Sequence, residues 1–269
     1  MADLIAPQEG RALFGADVHG YDAIRPPYPE QLYTFLQSTG ALYPNCTTLE
    51  IGAGNGLATR RLLELGANPL TALEPDPRFA PLLQSIAATA LADFTLIHSA
   101  FEEATLPTNH YDLVASATAF HWIDRVSGLT KVAALLKPGG YAALWWNVFG
   151  DPERADPFHD ATQGILQPLA TSPSDSPQRT PFALDLPARL GDFAHAGQFE
   201  APVYEHYRWT LALTPAQVGA LYSTFSGINR LPAAERQHIL DQLMAVAAAE
   251  FSGRVERNMV SAIYVARRK

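Results

Sequence analysis

The stretch Thr48-Leu49-Glu50-Ile51-Gly52-Ala53-Gly54-Asn55-Gly56-Leu57-Ala58-Thr59 constrains this chain more than any other. A strand-like run leads into three glycines at alternate positions and then into helical spacing. This pattern makes a short buried strand that turns sharply into a helix. Glycine permits positive φ and close approach of the backbone, and the first N–H groups of the following helix have no partner within it. Such a polar rim suits a nucleotide-like ligand. Glu74 ends the next apolar run, twenty residues after Gly54, where a carboxylate can accept both hydroxyls of a ribose. Taken alone, Glu74 reads as a solvated carboxylate at a strand end.

The alternation continues. Residues 47–51, 70–73, 94–97, 113–116 and 141–146 read as strands, and residues 57–65, 78–91 and 125–136 carry helical apolar spacing. Lys137-Pro138-Gly139-Gly140 closes the last helix with a breaker and a turn. The aromatic run after it fits a parallel strand covered on both faces. Repeated βα units wind into an open sheet with right-handed crossovers. A helix beginning at Tyr28-Pro29 precedes this block. After it, residues 171–187 are dense in proline, serine and threonine and read as a mobile loop or lid. A strand within 202–213, helices over 215–225 and 232–251, and a strand over 257–267 follow.

Composition narrows the class. The 269 residues are 48% apolar, ordinary for a globular protein, and without a charged and apolar leader or an 18-residue apolar run the expectation is a cytoplasmic protein with no membrane span. The single cysteine, Cys46, reads as a small buried residue, and the eight histidines lack ligand spacing, so no metal is expected. A net charge of −8 argues against a nucleic-acid partner. The oligomeric state leaves no signature.

Five ordered blocks carry a family resemblance: Leu49 to Gly56; Ala72-Leu73-Glu74-Pro75-Asp76; Ser99-Ala100-Phe101-Glu102-Glu103; Tyr111 to Trp122; and Leu135-Leu136-Lys137-Pro138-Gly139-Gly140. Together they resemble the class I S-adenosylmethionine-dependent methyltransferases. Tyr21, Arg25-Pro26-Pro27-Tyr28-Pro29 and Ala119-Phe120-His121-Trp122 are similar to the small-molecule group that includes the trans-aconitate and quinone-biosynthesis enzymes.

The resemblance implies a Rossmann-like α/β fold: an open, mainly parallel sheet with an antiparallel last strand and helices on both faces. It divides the chain into an N-terminal helical segment over the cofactor site (1–45), the S-adenosylmethionine-binding core (46–150), a variable substrate-side region with the mobile loop (151–230) and a closing helix and strand (231–269). S-adenosylmethionine is the implied cofactor and a small molecule the implied methyl acceptor.

Each part of that cofactor has a candidate. Glu74 takes the ribose diol, and Gly52, Gly54 and Gly56 let the backbone approach the ribose and amino-acid portion. Adenine lies over Pro75 and receives a backbone hydrogen bond from Phe101. Many relatives have Asp before that residue to hold the adenine amino group; this chain has Ala100, with Glu102 as a substitute. Glu50, directly or through water, and the carbonyl of Ala117 meet the ammonium, or else Glu50 only orders the glycine turn. Arg25, with Tyr21, meets the carboxylate in a fork, or else Arg25 is a surface residue. Phe120 and Trp122 wall the substrate side or belong to the core. His121 is a general base, its ordinary pKa lying near neutrality, or a histidine that packs and shapes the pocket.

Two other classes compete. A nicotinamide-dinucleotide oxidoreductase shares the glycine turn and distant acid, but G-x-G-x-x-G needs glycine where this chain has Leu57. A non-catalytic cofactor-binding module that acts through a partner stays open.

Overall fold

The computed structural model describes residues 24–166 and 180–269, together with residues 5, 6, 9 and 169. α1 (Glu30–Ser38) is followed by β1 (Cys46–Ile51), α2 (Leu57–Glu64), β2 (Ala67–Leu73), α3 (Ala80–Ala90), β3 (Phe94–Ile97), β4 (Tyr111–Ala117), α4 (Arg125–Leu135) and β5 (Leu136–Phe149). Next come α5 (Pro157–Leu166), α6 (Leu186–Ala196), β6 (Val203–Leu213), α7 (Pro215–Tyr222), the short α8 (Ser226–Asn229), α9 (Ala233–Glu250) and β7 (Val255–Arg267).

The seven strands form one sheet in the order β3-β2-β1-β4-β5-β7-β6, parallel from β3 to β5 with antiparallel last strands. Leu113, Val114, Ala115 and Ser116 are fully buried, which explains why β4 reads as a continuous small and apolar run with no polar face. The chain winds from β1 outward to β3 and then returns to place β4 on the other side of β1. In open α/β sheets, ligands bind beyond the C-terminal ends of the strands at such a reversal. Glu50, opposite Ala72 on one side and Ala115 on the other, stands one residue from that rim.

The opposite rim is clamped. Tyr111 pairs with Leu136 and Leu113 with Tyr141, so residues 137–140 bulge out facing Asp112 alone. Gly139 takes φ 79° in this bulge. Lys137 Nζ lies 2.7 Å from Asp112 Oδ1, and Asp112 Oδ2 accepts from the Thr47 backbone N–H at 3.0 Å. One carboxylate thus ties the starts of three neighbouring strands. The bulge also explains why β5 begins at Leu136 rather than at 141, as the sequence predicts.

The chain divides into two compact units. One comprises Tyr28–Asn147, Ala183–Tyr207 and Ser261–Lys269; the other is built from described residues of Met1–Pro27, Val148–Phe182 and Arg208–Val260. In the second unit, Phe158, Val218, Leu221, Tyr222, Ile228 and Leu243 form a packed core. Arg257 is buried beside it, with Nε 2.8 Å from Asp156 Oδ2 and its guanidinium against the rings of Phe158 and Tyr222. The charge is paired, as burial requires.

Of the loop expected over 171–187, only the C-terminal end is described, and there the chain is regular. Residues 171–179 lie outside the described residues, but Phe182–Leu184 forms a single 3-10 turn and Pro187 sits in the first turn of α6. Asp185 starts that helix by accepting from the Ala188 N–H at 3.2 Å, and proline at this position is compatible with a helix start. α5, also unexpected, begins similarly: Asp156 Oδ1 accepts from the His159 N–H at 3.0 Å.

Candidate active site

The whole β1–α2 turn belongs to the first unit. The N–H groups of Gly52 and Ala53 both donate to the Leu73 carbonyl, at 2.9 and 3.1 Å, which folds the chain back across the end of β2. Gly52, Gly54 and Gly56 take φ values of 70°, 53° and 75°. Their requirements differ. A Cβ on Gly52 would lie 2.5 Å from Ala119 Cβ, and one on Gly56 would lie 2.4 Å from Ile86 Cδ1. At Gly54 a Cβ would meet nothing within 4 Å. Protein therefore fills the space at the first and third glycines, whereas the middle one borders open space.

Two carboxylates flank this turn. Glu74 accepts from the Gly54 N–H at 2.8 Å and, through its other oxygen, from the Asp76 N–H at 2.9 Å. It is buried and fixed in place, not the solvated strand-end carboxylate of the alternative reading. Glu50 is 1% exposed, and its Oε2 accepts from the Thr59 hydroxyl at 2.6 Å. Among the described residues, its Oε1 has no hydrogen-bond partner. Burial pushes its pKa up to about 8; the Thr59 hydrogen bond works against this and the Glu74 charge adds to it.

The end of β4 reaches the turn at the Gly52–Ala119 approach. Ala117 is the last residue of β4, half-buried and opposite Trp145. Thr118 takes φ 52°, rare for a β-branched residue, and is held there by two bonds: its N–H donates to the Trp145 carbonyl at 2.7 Å, and its hydroxyl meets the Tyr28 hydroxyl at 2.7 Å. Phe120–Trp122 then makes one 3-10 turn with all three side chains buried. The Phe120 ring packs against Gly128 of α4, where a Cβ would come within 3.1 Å of it. Trp146 Nε1 donates to His121 Nδ1 at 3.1 Å, so the neutral ring carries its proton on Nε2. Burial lowers the His121 pKa to about 3.

Pro75 is half-buried, next to Glu74. Phe101 is buried in the turn after β3, and its carbonyl accepts from Lys131 Nζ at 2.6 Å. Glu102 is exposed in the same turn. The structure thus gathers Glu50, the three glycines, Glu74, Pro75, Phe101, Ala117, Phe120, His121 and Trp122 in one unit. Arg25 belongs to the other, where it donates to the Thr224 carbonyl at 3.0 Å and lies over the rings of Phe149 and Phe225. Tyr21 lies outside the described residues. Cys46 is buried, as expected of a small core residue, and no group of three potential metal ligands occurs among the described residues. Nor is any helix among them long and apolar enough to cross a membrane.

A glycine turn and a fixed acid at the reversal point of a mainly parallel sheet define a class of α/β proteins that bind nucleotide-like ligands. Comparison with known proteins gives the family. A family model described as a methyltransferase domain matches residues 49–144. An uncharacterized methyltransferase of Geobacillus kaustophilus is 30% identical over 178 residues, or 60% of this chain and 81% of that protein. Another, from Mycobacterium bovis, is 34% identical over 134 residues, 50% of this chain; the chain spans about half (51%) of the length of that relative. Among solved structures, phosphoethanolamine N-methyltransferase 2 of Haemonchus contortus, determined with S-adenosyl-L-methionine, shares the fold with a TM-score of 0.58 at 15% identity, over 96% of this chain and 60% of that one. The chain belongs to the class I S-adenosylmethionine-dependent methyltransferases.

The residues present fit that cofactor. A buried carboxylate oxygen with no partner among the described residues suits an ammonium, the gap at Gly54 leaves room for a ligand, and Glu74 is a buried carboxylate held against the Gly54 backbone beside that gap.

Proposed function

We propose that this protein transfers the methyl group of S-adenosylmethionine to a small-molecule acceptor. The observation that carries this reading is Glu50 Oε1, a fully buried acceptor with no partner among the described residues, beside a glycine turn that Glu74 holds in place. In this reading Glu74 holds the ribose hydroxyls, Gly52, Gly54 and Gly56 allow close approach, and Glu50 and the Ala117 carbonyl hold the ammonium. Pro75 and the Phe101 N–H hold the adenine. S-adenosylmethionine supplies a methyl group already activated on a sulfonium, so the protein's task is to bind, orient and exclude water. Phe120, Trp122 and Trp146 keep the end of β4 dry.

His121 serves here as a neutral, positioned ring. With Nδ1 accepting from Trp146 and its pKa lowered by burial, it is poorly suited to receive a proton. The negative net charge and the small-molecule activity in the name of the structural relative support a small acceptor over a polyanionic one.

A thermal-shift panel of S-adenosylmethionine, S-adenosylhomocysteine and NAD tests the reading, because a ligand that binds only the native state raises its melting temperature. The first two should stabilise the protein and NAD should not. Glu74→Ala should weaken S-adenosylhomocysteine binding by about 1.5–3 kcal/mol, the range for hydrogen bonds to a charged group. Equal affinity in calorimetry would remove Glu74 from the site.

A further inference from the structure

The Lys131 ammonium meets three backbone carbonyls. From α4 it donates to the carbonyls of Phe101, Glu102 and Ala104 at 2.6, 3.2 and 2.8 Å, which matches its three protons to three acceptors. Its Nζ also lies 4.9 Å from the centre of the Phe101 ring. Burial lowers its pKa, against the pull of the Glu102 charge. Such a cation has lost hydration and gained a specific geometry in return.

The three carbonyls belong to one helical turn. The Ala100 carbonyl accepts from the Glu103 and Ala104 N–H groups at 3.1 and 3.0 Å, and from the Ser99 hydroxyl at 3.0 Å. These donors polarise the peptide between Ala100 and Phe101, whose N–H is that of Phe101, and hydrogen bonds in a chain strengthen one another. Lys131 sits at the carbonyl pole of the turn, where a cation is favourable to the peptide dipoles. The Phe101 N–H belongs to the opposite pole. This chain has Ala100, which offers no side-chain acceptor, so apart from Glu102 the turn meets a base with its backbone donor.

We propose that Lys131 is the positioning residue of the base-binding turn, holding the Phe101 N–H so that the site selects a purine by its ring-nitrogen acceptor. The inference rests on the cofactor reading above and adds to it a residue outside the matched adenine block. A purine with a protonated ring nitrogen at that edge, as in a hypoxanthine base, presents a donor to a donor and is rejected. Loosening the turn relaxes this rejection.

Calorimetric affinities for S-adenosylhomocysteine and S-inosylhomocysteine, measured on wild type, Lys131→Met and Lys131→Arg, test it. Wild type should prefer the adenosyl compound by at least about tenfold, the factor equivalent to one hydrogen bond. Lys131→Met, which keeps the apolar stem beside Phe101, should lower that preference several-fold, and Lys131→Arg should restore most of it. A merely structural role would weaken both ligands alike and leave the ratio unchanged, which would overturn the proposal. If Lys131→Met does not fold, Lys131→Gln supplies the same ratio, and an unchanged ratio there counts equally against it. Failure of wild type to bind either compound would instead overturn the cofactor reading itself.

Discussion

Glu50 at the end of β1 and His121 in the turn after β4 are both buried ionisable groups, and burial pushes them in opposite directions to the same result. Glu50 rises to about 8 and stays protonated at neutral pH; His121 falls to about 3 and stays neutral. Their surroundings differ. His121 Nδ1 has the Trp146 N–H, whereas Glu50 has the Thr59 hydroxyl on one oxygen and, among the described residues, nothing on the other. The His121 acceptor nitrogen thus has its hydrogen bond made within the protein. A neutral acid with an open oxygen can still take a cation when its proton leaves, which is why the reading proposed above gives the β1 end to the ligand and the β4 turn to shape.

The two regions meet at the Gly52–Ala119 approach, and the largest expected effect comes from forcing them apart. Gly52→Ala adds overpacking to a left-handed conformation and should destabilise the fold by about 3 kcal/mol. Urea denaturation measures this; an unchanged midpoint would mean that the contact is slack.

A pH series on the ligand-free protein separates the two groups. The raised Glu50 pKa gives stability that is full below the ordinary value of 4.5 and is lost as pH rises to about 8. The depressed His121 pKa gives stability that is full above the ordinary value of 6.5 and is lost as pH falls toward about 3. Between 4.5 and 6.5 the slopes oppose each other. From 6.5 to 8 only Glu50 acts, and stability should fall by about 1.4 kcal/mol per pH unit at most. Glu50→Gln should abolish this alkaline limb. Parallel curves for wild type and variant would show that Glu50 is already ionised.

The smallest expected effect concerns chemistry. With an accepted substrate in hand, His121→Gln should reduce turnover by less than about tenfold, since loss of a general base typically costs 10² to 10⁴. Steady-state kinetics decide, and a thousandfold loss would return His121 to the role of base.

Much of this was legible in the sequence because it depends on local chemistry. The strand at 94–97 has the bounds read from its apolar run, and the order of the βα units follows from periodicity. The glycine turn is legible because only glycine fits φ 70° against Ala119. What the sequence hides is partnership at a distance. Nothing in the apolar run around Trp146 announces a hydrogen bond to His121, and Thr59 looks like a helix residue until its hydroxyl is seen on Glu50. Lys131 lies on a helix with no charged partner in its own sequence pattern, so its three carbonyls are visible only after folding. The helices at Pro157–Leu166 and Leu186–Ala196 are a different case, since aspartate caps followed by proline were present as signals and were masked by polar, proline-rich surroundings.

Thr118 has a consequence for anyone who wishes to make this protein more durable. A β-branched residue at φ 52° costs about 1–2 kcal/mol relative to a relaxed conformation, and glycine there would relieve that strain. A search for thermostable variants will therefore find position 118 early. Its hydroxyl is bound to Tyr28, and its backbone aims the turn that carries Ala119 toward Gly52. Heat resistance gained at this residue would come with loss of the hydroxyl tie to Tyr28 and of the stiffness that a side chain gives the turn, so relief of strain and definition of the end of β4 compete at one residue.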